Sequence, residues 1–187
     1  MKNYKKDFIV FAFCLLTSLN SYAVFEGENL IGEYPLKSGE WNYLTKKSEG
    51  MHESVWLNDL GEMFFVVTYY GAGGESLNGF KQHLDMVGKS KCMSFTTKTL
   101  SSSISKRRAF ITWQTHCQMK GGSIITLQKL LGGGESLYHM TKNWRYASNE
   151  QERYLGHNQD FSKWSRSFAD TYVCDTRISS SPCPDLR

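Results

Sequence analysis

The sequence predicts an α+β domain built as one antiparallel sheet with two helices packed on one face. Two observations carry that expectation. Four segments between Cys92 and Trp144 are rich in β-branched and aromatic residues and are separated by Ser-, Lys- and Gly-rich breaks. On either side of them, Leu77, Phe80, Leu84 and Val87, and then Phe161, Trp164 and Phe168, recur at helical spacing. Strands, helix, meander and C-terminal helix together make a two-layer α+β arrangement.

Residues 1–23 read as a secretory signal peptide. Lys2, Lys5 and Lys6 form a positive n-region, Phe8 to Leu19 an apolar run, and Ser21-Tyr22-Ala23 a small-residue cleavage site. The apolar run is shorter than the roughly 20 residues that span a bilayer, and Asn20 closes it. Cys14 follows Phe13, which is not a lipoprotein context. Removing 23 of 187 residues leaves 164, a length that predicts a single domain over 24–187. No later segment is long and apolar enough to cross a membrane, so the expectation is a periplasmic or extracellular protein that does not span one.

The formal charge of +4 loses three lysines and one aspartate with the leader. The balance near +2 is too weak to argue for a nucleic-acid partner. Lys106-Arg107-Arg108 reads as a solvated entry to a strand.

Val24 to Gly39, punctuated by glycines and Pro35, reads as an irregular lead-in. Two short strands are expected at Trp41 to Thr45 and Ser54 to Asn58, with Lys46 to Gly50 as the turn between them. Glu62 to Tyr70 is the strongest strand and should lie near the sheet centre, because Phe64, Phe65, Val66, Val67, Tyr69 and Tyr70 suit burial on both faces. In the first helix, Ser76 is the expected cap and Gly88 the stop. Strands then follow at Cys92 to Leu100, Ala109 to Cys117, Ser123 to Leu131 and Ser136 to Trp144. Ile111 and Trp113 alternate with Thr112 and Gln114, and Leu127 with Thr126 and Gln128, so one face should pack and the other meet water. Asp160 is the expected cap of the second helix, placed on the same sheet face as the first.

Four cysteines remain after the leader, and an even count in an exported domain reads as a disulfide set with three open connectivities. A hairpin with Cys92 opposite Cys117, Phe95 opposite Gln114 and Thr96 opposite Trp113 brings the first two within bonding range. Cys174 and Cys183 then close a short tail loop. A zinc site is disfavoured, since there is no C-x-x-C pair and His116 points to the sheet face opposite Cys117. No cofactor motif is present either.

The order of elements from Trp41 to Tyr172 resembles the PsbP-like fold, which implies a small assembly or adaptor module. Trp113-Gln114-Thr115-His116-Cys117, Gly134-Glu135-Ser136-Leu137-Tyr138, Val173-Cys174-Asp175 and Pro182-Cys183-Pro184 are similar to segments of small exported bacterial proteins, which implies a compartment and no activity.

Gly73-Gly74-Glu75-Ser76-Leu77 recurs as Gly133-Gly134-Glu135-Ser136-Leu137. It lacks the Lys-Ser/Thr of a P-loop and the final Gly of a nucleophile elbow, so the expectation is two turns, each starting the next element. His116 and His139 are the best candidates for acid–base chemistry, sharing a polar sheet face with Lys142 or Gln114. Most of the 5 Trp, 10 Tyr and 11 Phe fill a core, whereas Tyr43, Tyr146 and Tyr154 lie in or beside polar segments and suit a partly wet interface. The functional expectation is therefore a non-enzymatic exported binding or adaptor domain whose partner is a protein or surface ligand, contacted through Tyr43, His116, His139, Tyr146 and Tyr154. The alternative is a small secreted hydrolase with a noncontiguous Ser/His/acid set and Ser76 or Ser136 as nucleophile.

Overall fold

A computed structural model describes residues 27–36, 40–103, 109–148, 157–179 and 182–184. The predicted signal peptide, Lys106 to Arg108 and Tyr154 lie outside them. The chain is mostly β. Strands β1 (Glu28–Ile31), β2 (Trp41–Ser48), β3 (Met51–Asn58) and β4 (Met63–Tyr70) lead to helix α1 (Leu77–Lys89). Strands β5 (Ser94–Ser103), β6 (Phe110–Met119), β7 (Gly122–Gly132) and β8 (Ser136–Ala147) follow, then helix α2 (His157–Asp170) and strand β9 (Tyr172–Asp175).

Seven strands form one antiparallel sheet in the order β2-β3-β4-β8-β7-β6-β5, and β1 pairs with β9 in a second, two-stranded sheet. Two meanders thus meet where β4 pairs with β8, and the α1 connection carries the chain from the middle of the sheet to its far edge.

The helices do not share a face, which corrects the expectation of one sheet with two helices on one side. Side chains alternate along a strand, so neighbours point to opposite faces. On β7 and β8, Leu130 and Leu137 join Ile111 and Trp113 beneath Leu77, Phe80 and Leu84 of α1. Ile125, Leu127, Leu131, Tyr138, Met140, Trp144 and Tyr146 point the other way, against Trp164 and Phe168 of α2. Both faces of the central strands are apolar, and each helix covers one of them. The Thr126-Leu127-Gln128 alternation had suggested a wet face, but Leu130 and Leu137 fall on that face and close it.

Phe64 is the hub of the α2 side. Its ring lies 4.6 Å from Tyr34, 5.1 Å from Trp56 and 4.9 Å from Trp164, centroid to centroid. Burying such rings and setting them edge-on or tilted contributes more than their area alone. The expected position of this strand near the sheet centre matches the structure, where it is the neighbour of central β8.

Other local expectations shift. The β2–β3 turn is Glu49-Gly50, because both strands extend further than polarity suggested. Ser76 does cap α1, its Oγ accepting from the Gly79 amide, but the helix runs through Gly88 to Lys89 and Ser90 closes it. Helix α2 starts at His157, and Asp160 in its first turn accepts from the Trp144 indole at 2.6 Å instead of capping. The lead-in contains β1, which four residues of mixed polarity do not announce.

The two disulfides join Cys92 to Cys117 and Cys174 to Cys183. The hairpin register differs from the expected one: Phe95 lies opposite Cys117 and Thr96 opposite His116, with Cys92 outside β5. A Cα separation of 5.3 Å still allows the bond.

Each bridge restricts the unfolded chain, more so for the longer loop. Replacing Cys92 and Cys117 together by serine, a pair 25 residues apart, should lower stability by about 3 kcal/mol in urea unfolding. The same change at Cys174 and Cys183, 9 residues apart, should cost less.

Candidate functional site

The ionisable side chains at the centre of the molecule are held by the chain itself. Glu28 of β1 is 8% exposed, and its carboxylate accepts hydrogen bonds from the amides of Gly134 at 2.5 Å, Glu135 at 3.2 Å and Ser136 at 3.1 Å, and from the Tyr138 hydroxyl at 3.2 Å. Successive amides converging in this way form an anion nest. The second Gly-Gly-Glu-Ser-Leu copy therefore does cradle an anion, and the anion is the protein's own Glu28. A Cβ at Gly133 would stand 2.3 Å from the Glu28 carboxylate and would displace it from these amides. The first copy abuts the second: the Gly73 amide donates to the Glu135 carbonyl at 3.0 Å, and a Cβ at Gly73 would stand 2.7 Å from the Glu135 nitrogen. Leu77 and Leu137, the last residues of the two copies, enter the same apolar cluster. Arg177 ties β9 to this corner through Asp175 at 2.7 Å and Glu135 at 3.2 Å.

Lys129 and Lys142 are buried on the α2 face. Lys129 Nζ donates to the carbonyls of Phe168 at 2.5 Å and Thr171 at 2.8 Å, satisfying the C-terminal end of α2. Burial pulls this amine down to about 8, with Asp170 opposing the shift. Lys142 Nζ meets Glu62 at 2.9 Å and lies 4.8 to 5.3 Å from the rings of Trp41, Trp144 and Trp164. Three indole faces and one carboxylate thus hold a fully buried ammonium.

His139 is on the α1 face, 4% exposed, stacked at 6.1 Å on Trp113 and bonded through Nε2 to Gln128 and Thr141, both at 3.0 Å. Desolvation pulls its pKa down to about 3, so the ring is neutral at ordinary pH and a poor base. His116 lies on the opposite face, because Thr96 and Ile125 flank it in a register that puts it with Lys142 and Gln114. The two histidines expected to share a face do not meet. Tyr146 is also a core residue, 5% exposed, and so is removed with His139 from the expected binding surface. Of the alternative nucleophiles, Ser76 caps α1, and Ser136 is 2% exposed with its amide on Glu28.

Tyr43 keeps its predicted exposure, at 53%. It lies on β2, a sheet edge whose eight residues pair with β3 without a register break. The other edge, β5, has a bulge between Thr99 and Ser101, a feature that blunts pairing with a further strand. Cross-strand contacts stiffen the β2–β3 hairpin: Tyr43 packs on Trp56 at 5.0 Å and bonds Ser54 at 3.2 Å, and Thr45 bonds His52 at 2.8 Å. The Ser54 bond holds the Tyr43 phenol below its ordinary pKa. On the other side of the hairpin Leu44 is 64% exposed and Leu57 41%, and Lys46 and Lys47 follow on the same edge. Among the exposed segments this edge combines free strand, apolar surface and charge, and it is the candidate site. Tyr43 was legible from its polar flanks. Leu44 and Leu57 were not, because only the sheet order shows that, among the described residues, no element covers them.

Among the described residues no three His, Cys, Asp or Glu side chains converge to hold a metal ion, and no helix is long and apolar enough to cross a membrane. No protein-family model matches the chain, and no curated protein is similar to it.

Removing the Glu28 carboxylate leaves three amides and a hydroxyl without their acceptor. Glu28→Ala should cost about 3 kcal/mol in urea unfolding and speed hydrogen exchange at Gly134, Glu135 and Ser136. A variant with unchanged exchange at those amides would show that the nest does not depend on Glu28. His139 yields a pH signature. Its folded pKa lies below the unfolded value of 6.5, so its contribution is complete above pH 6.5 and is lost as pH falls toward about 3. Urea midpoints at pH 7, 5 and 4 should fall for the native protein, by up to several kcal/mol in free energy, and fall less for His139→Phe.

Proposed function

We propose that this protein is an exported binding domain, acting in the periplasm or outside the cell, that takes an extended segment of a partner protein as an additional strand along β2. The observation that carries this reading is the contrast between the two sheet edges. Strand β5 is interrupted by a bulge, whereas β2 offers eight continuously paired residues beside exposed Tyr43 and Leu44. Strand addition draws affinity from main-chain hydrogen bonds and specificity from alternate side chains.

Charge narrows the partner. Lys46 lies opposite Glu53 and Lys47 opposite His52, so a matching strand is apolar against Tyr43 and Leu44 and acidic beside Lys47. Edge lysines also oppose pairing with another basic strand, which favours a foreign acidic segment over self-association. The two disulfides are consistent with an oxidising, exported compartment.

Site-specific photocrosslinking in producing cells tests it. A photoreactive residue at Leu44 should join the protein to a discrete partner, one at Leu100 on β5 should not, and Lys47→Glu should reduce the Leu44 product at least severalfold. Equal products from both edges, or none from either, would overturn the assignment of β2.

A further inference from the structure

One face of the β2–β3 hairpin carries a row of polar side chains. Alternation places Tyr43, Thr45 and Lys47 of β2 on it, beside His52 and Ser54 of β3. It is the face on the α2 side of the sheet, because Tyr43 packs on Trp56 and Trp56 joins the core beneath α2. Tyr43 is 53% exposed, Thr45 and Lys47 are exposed, and His52 and Ser54 are half-buried, so the row stands open to solvent.

The row is pre-organised and electrically one-sided. The Tyr43 ring is backed by Trp56 at 5.0 Å, its hydroxyl bonds Ser54 at 3.2 Å, and Thr45 Oγ1 bonds His52 Nε2 at 2.8 Å. Little side-chain freedom is therefore left to lose when something binds. Glu53 is the one acidic residue in β2, β3 and β4, and it stands on the other face, opposite Lys46. Burial, and then Lys47, hold the His52 ring below its ordinary pKa, with no carboxylate to raise it. The face thus presents hydroxyls, an imidazole and an ammonium beside one exposed aromatic ring. Its excess is of hydrogen-bond donors, so the matching ligand has an excess of acceptors.

We propose that this face binds an acidic saccharide, with a sugar ring stacked on Tyr43 and its carboxylate or phosphate over Thr45 and His52, toward Lys47. The C–H groups of a sugar ring suit the negative face of a phenol, and its hydroxyls suit those of Ser54 and Thr45. The oxyanion accepts charge-assisted bonds that a neutral sugar cannot. Tyr43 and Lys47 are four residues apart on one strand, about 13 Å, which is a span for two linked sugars and not for a small inorganic ion. The ligand lies on the hairpin face and leaves the main-chain edge of β2 open, so the site does not depend on the strand-addition reading.

The test is an amide-resolved NMR titration of the oxidised full chain, with no partner protein present. Digalacturonate is the carboxylate probe, trehalose 6-phosphate the phosphate probe, and trehalose and inorganic phosphate supply sugar and charge separately. At least one acidic sugar should shift Tyr43, Thr45, His52 and Ser54 saturably, with a Kd on the order of 1 mM or tighter, and the tighter of the two identifies the acidic group. Trehalose and inorganic phosphate should each bind at least fivefold more weakly. Tyr43→Ala and Lys47→Gln should each raise the Kd at least fivefold, and Lys47→Gln decides alone should loss of the Tyr43 ring loosen the hairpin. Saturation by neither acidic sugar, equal binding of trehalose or of inorganic phosphate, shifts confined to other residues, or an unaltered Kd in Lys47→Gln would each overturn the proposal. The Leu44 photoproduct requires a partner protein and this titration does not, so the two readings fail separately.

Discussion

The antiparallel pairing of β4 with β8 is the contact on which the remaining architecture depends. β2, β3 and β4 form one meander, and β5 to β8 form another, so without this pairing there are two smaller sheets. With it, β8 becomes the central strand, flanked on both sides and covered on both faces. Each helix then has a defined place, α1 over Leu130 and Leu137 and α2 over Leu127 and Leu131. The pairing joins Met63 to Asn143 and Tyr70 to Ser136, residues far apart in sequence, so it closes a long loop before its contacts stabilise anything.

A sheet buried on both faces leaves little water for polar side chains, and the chain meets this by answering each buried charge internally. Lys142 has Glu62 and three indole faces, Lys129 has the carbonyl end of α2, and Glu28 has the nest made by the second Gly-Gly-Glu-Ser-Leu copy. A buried charge with its partner removed is strongly destabilising. These pairs therefore hold the small β1–β9 sheet and α2 against the main sheet. The same arrangement takes the central ionisable groups out of reach of a ligand and leaves the exposed edge at β2 as the candidate contact surface. At the edge, the intact register of β2 and the bulge of β5 give the two sides different capacities for a new strand.

Local signals were legible in proportion to how local their physics is. Ser76 as a helix cap, the helical spacing of Leu77, Phe80 and Leu84, and the strand character of Phe64 to Tyr70 each depend on a few neighbouring residues, and each was readable. The cysteine pairing was also readable, since Cys92 and Cys117 flank one hairpin, although the register within that hairpin was not. A three-residue shift still leaves the two cysteines within reach, so the bond tolerates an error that the strand does not. Glu28 could not be found: its partners lie 106 to 110 residues away, and no pattern near Gly27 marks it.

The sequence by itself determined the strands of the seven-stranded sheet, the two helices and which cysteines can meet, but not β1 or β9, because side-chain alternation, capping and short loops act within about one turn or one hairpin. It also determined that an apolar run precedes the domain. Only the tertiary structure decided that the helices lie on opposite faces, that His116 and His139 never meet, and that Tyr146 is core while Leu44 is open. Those outcomes follow from strand order, and strand order is set by pairing between β4 and β8. Both faces of the central strands are apolar, so alternation alone could not say which residue would be covered, and by what.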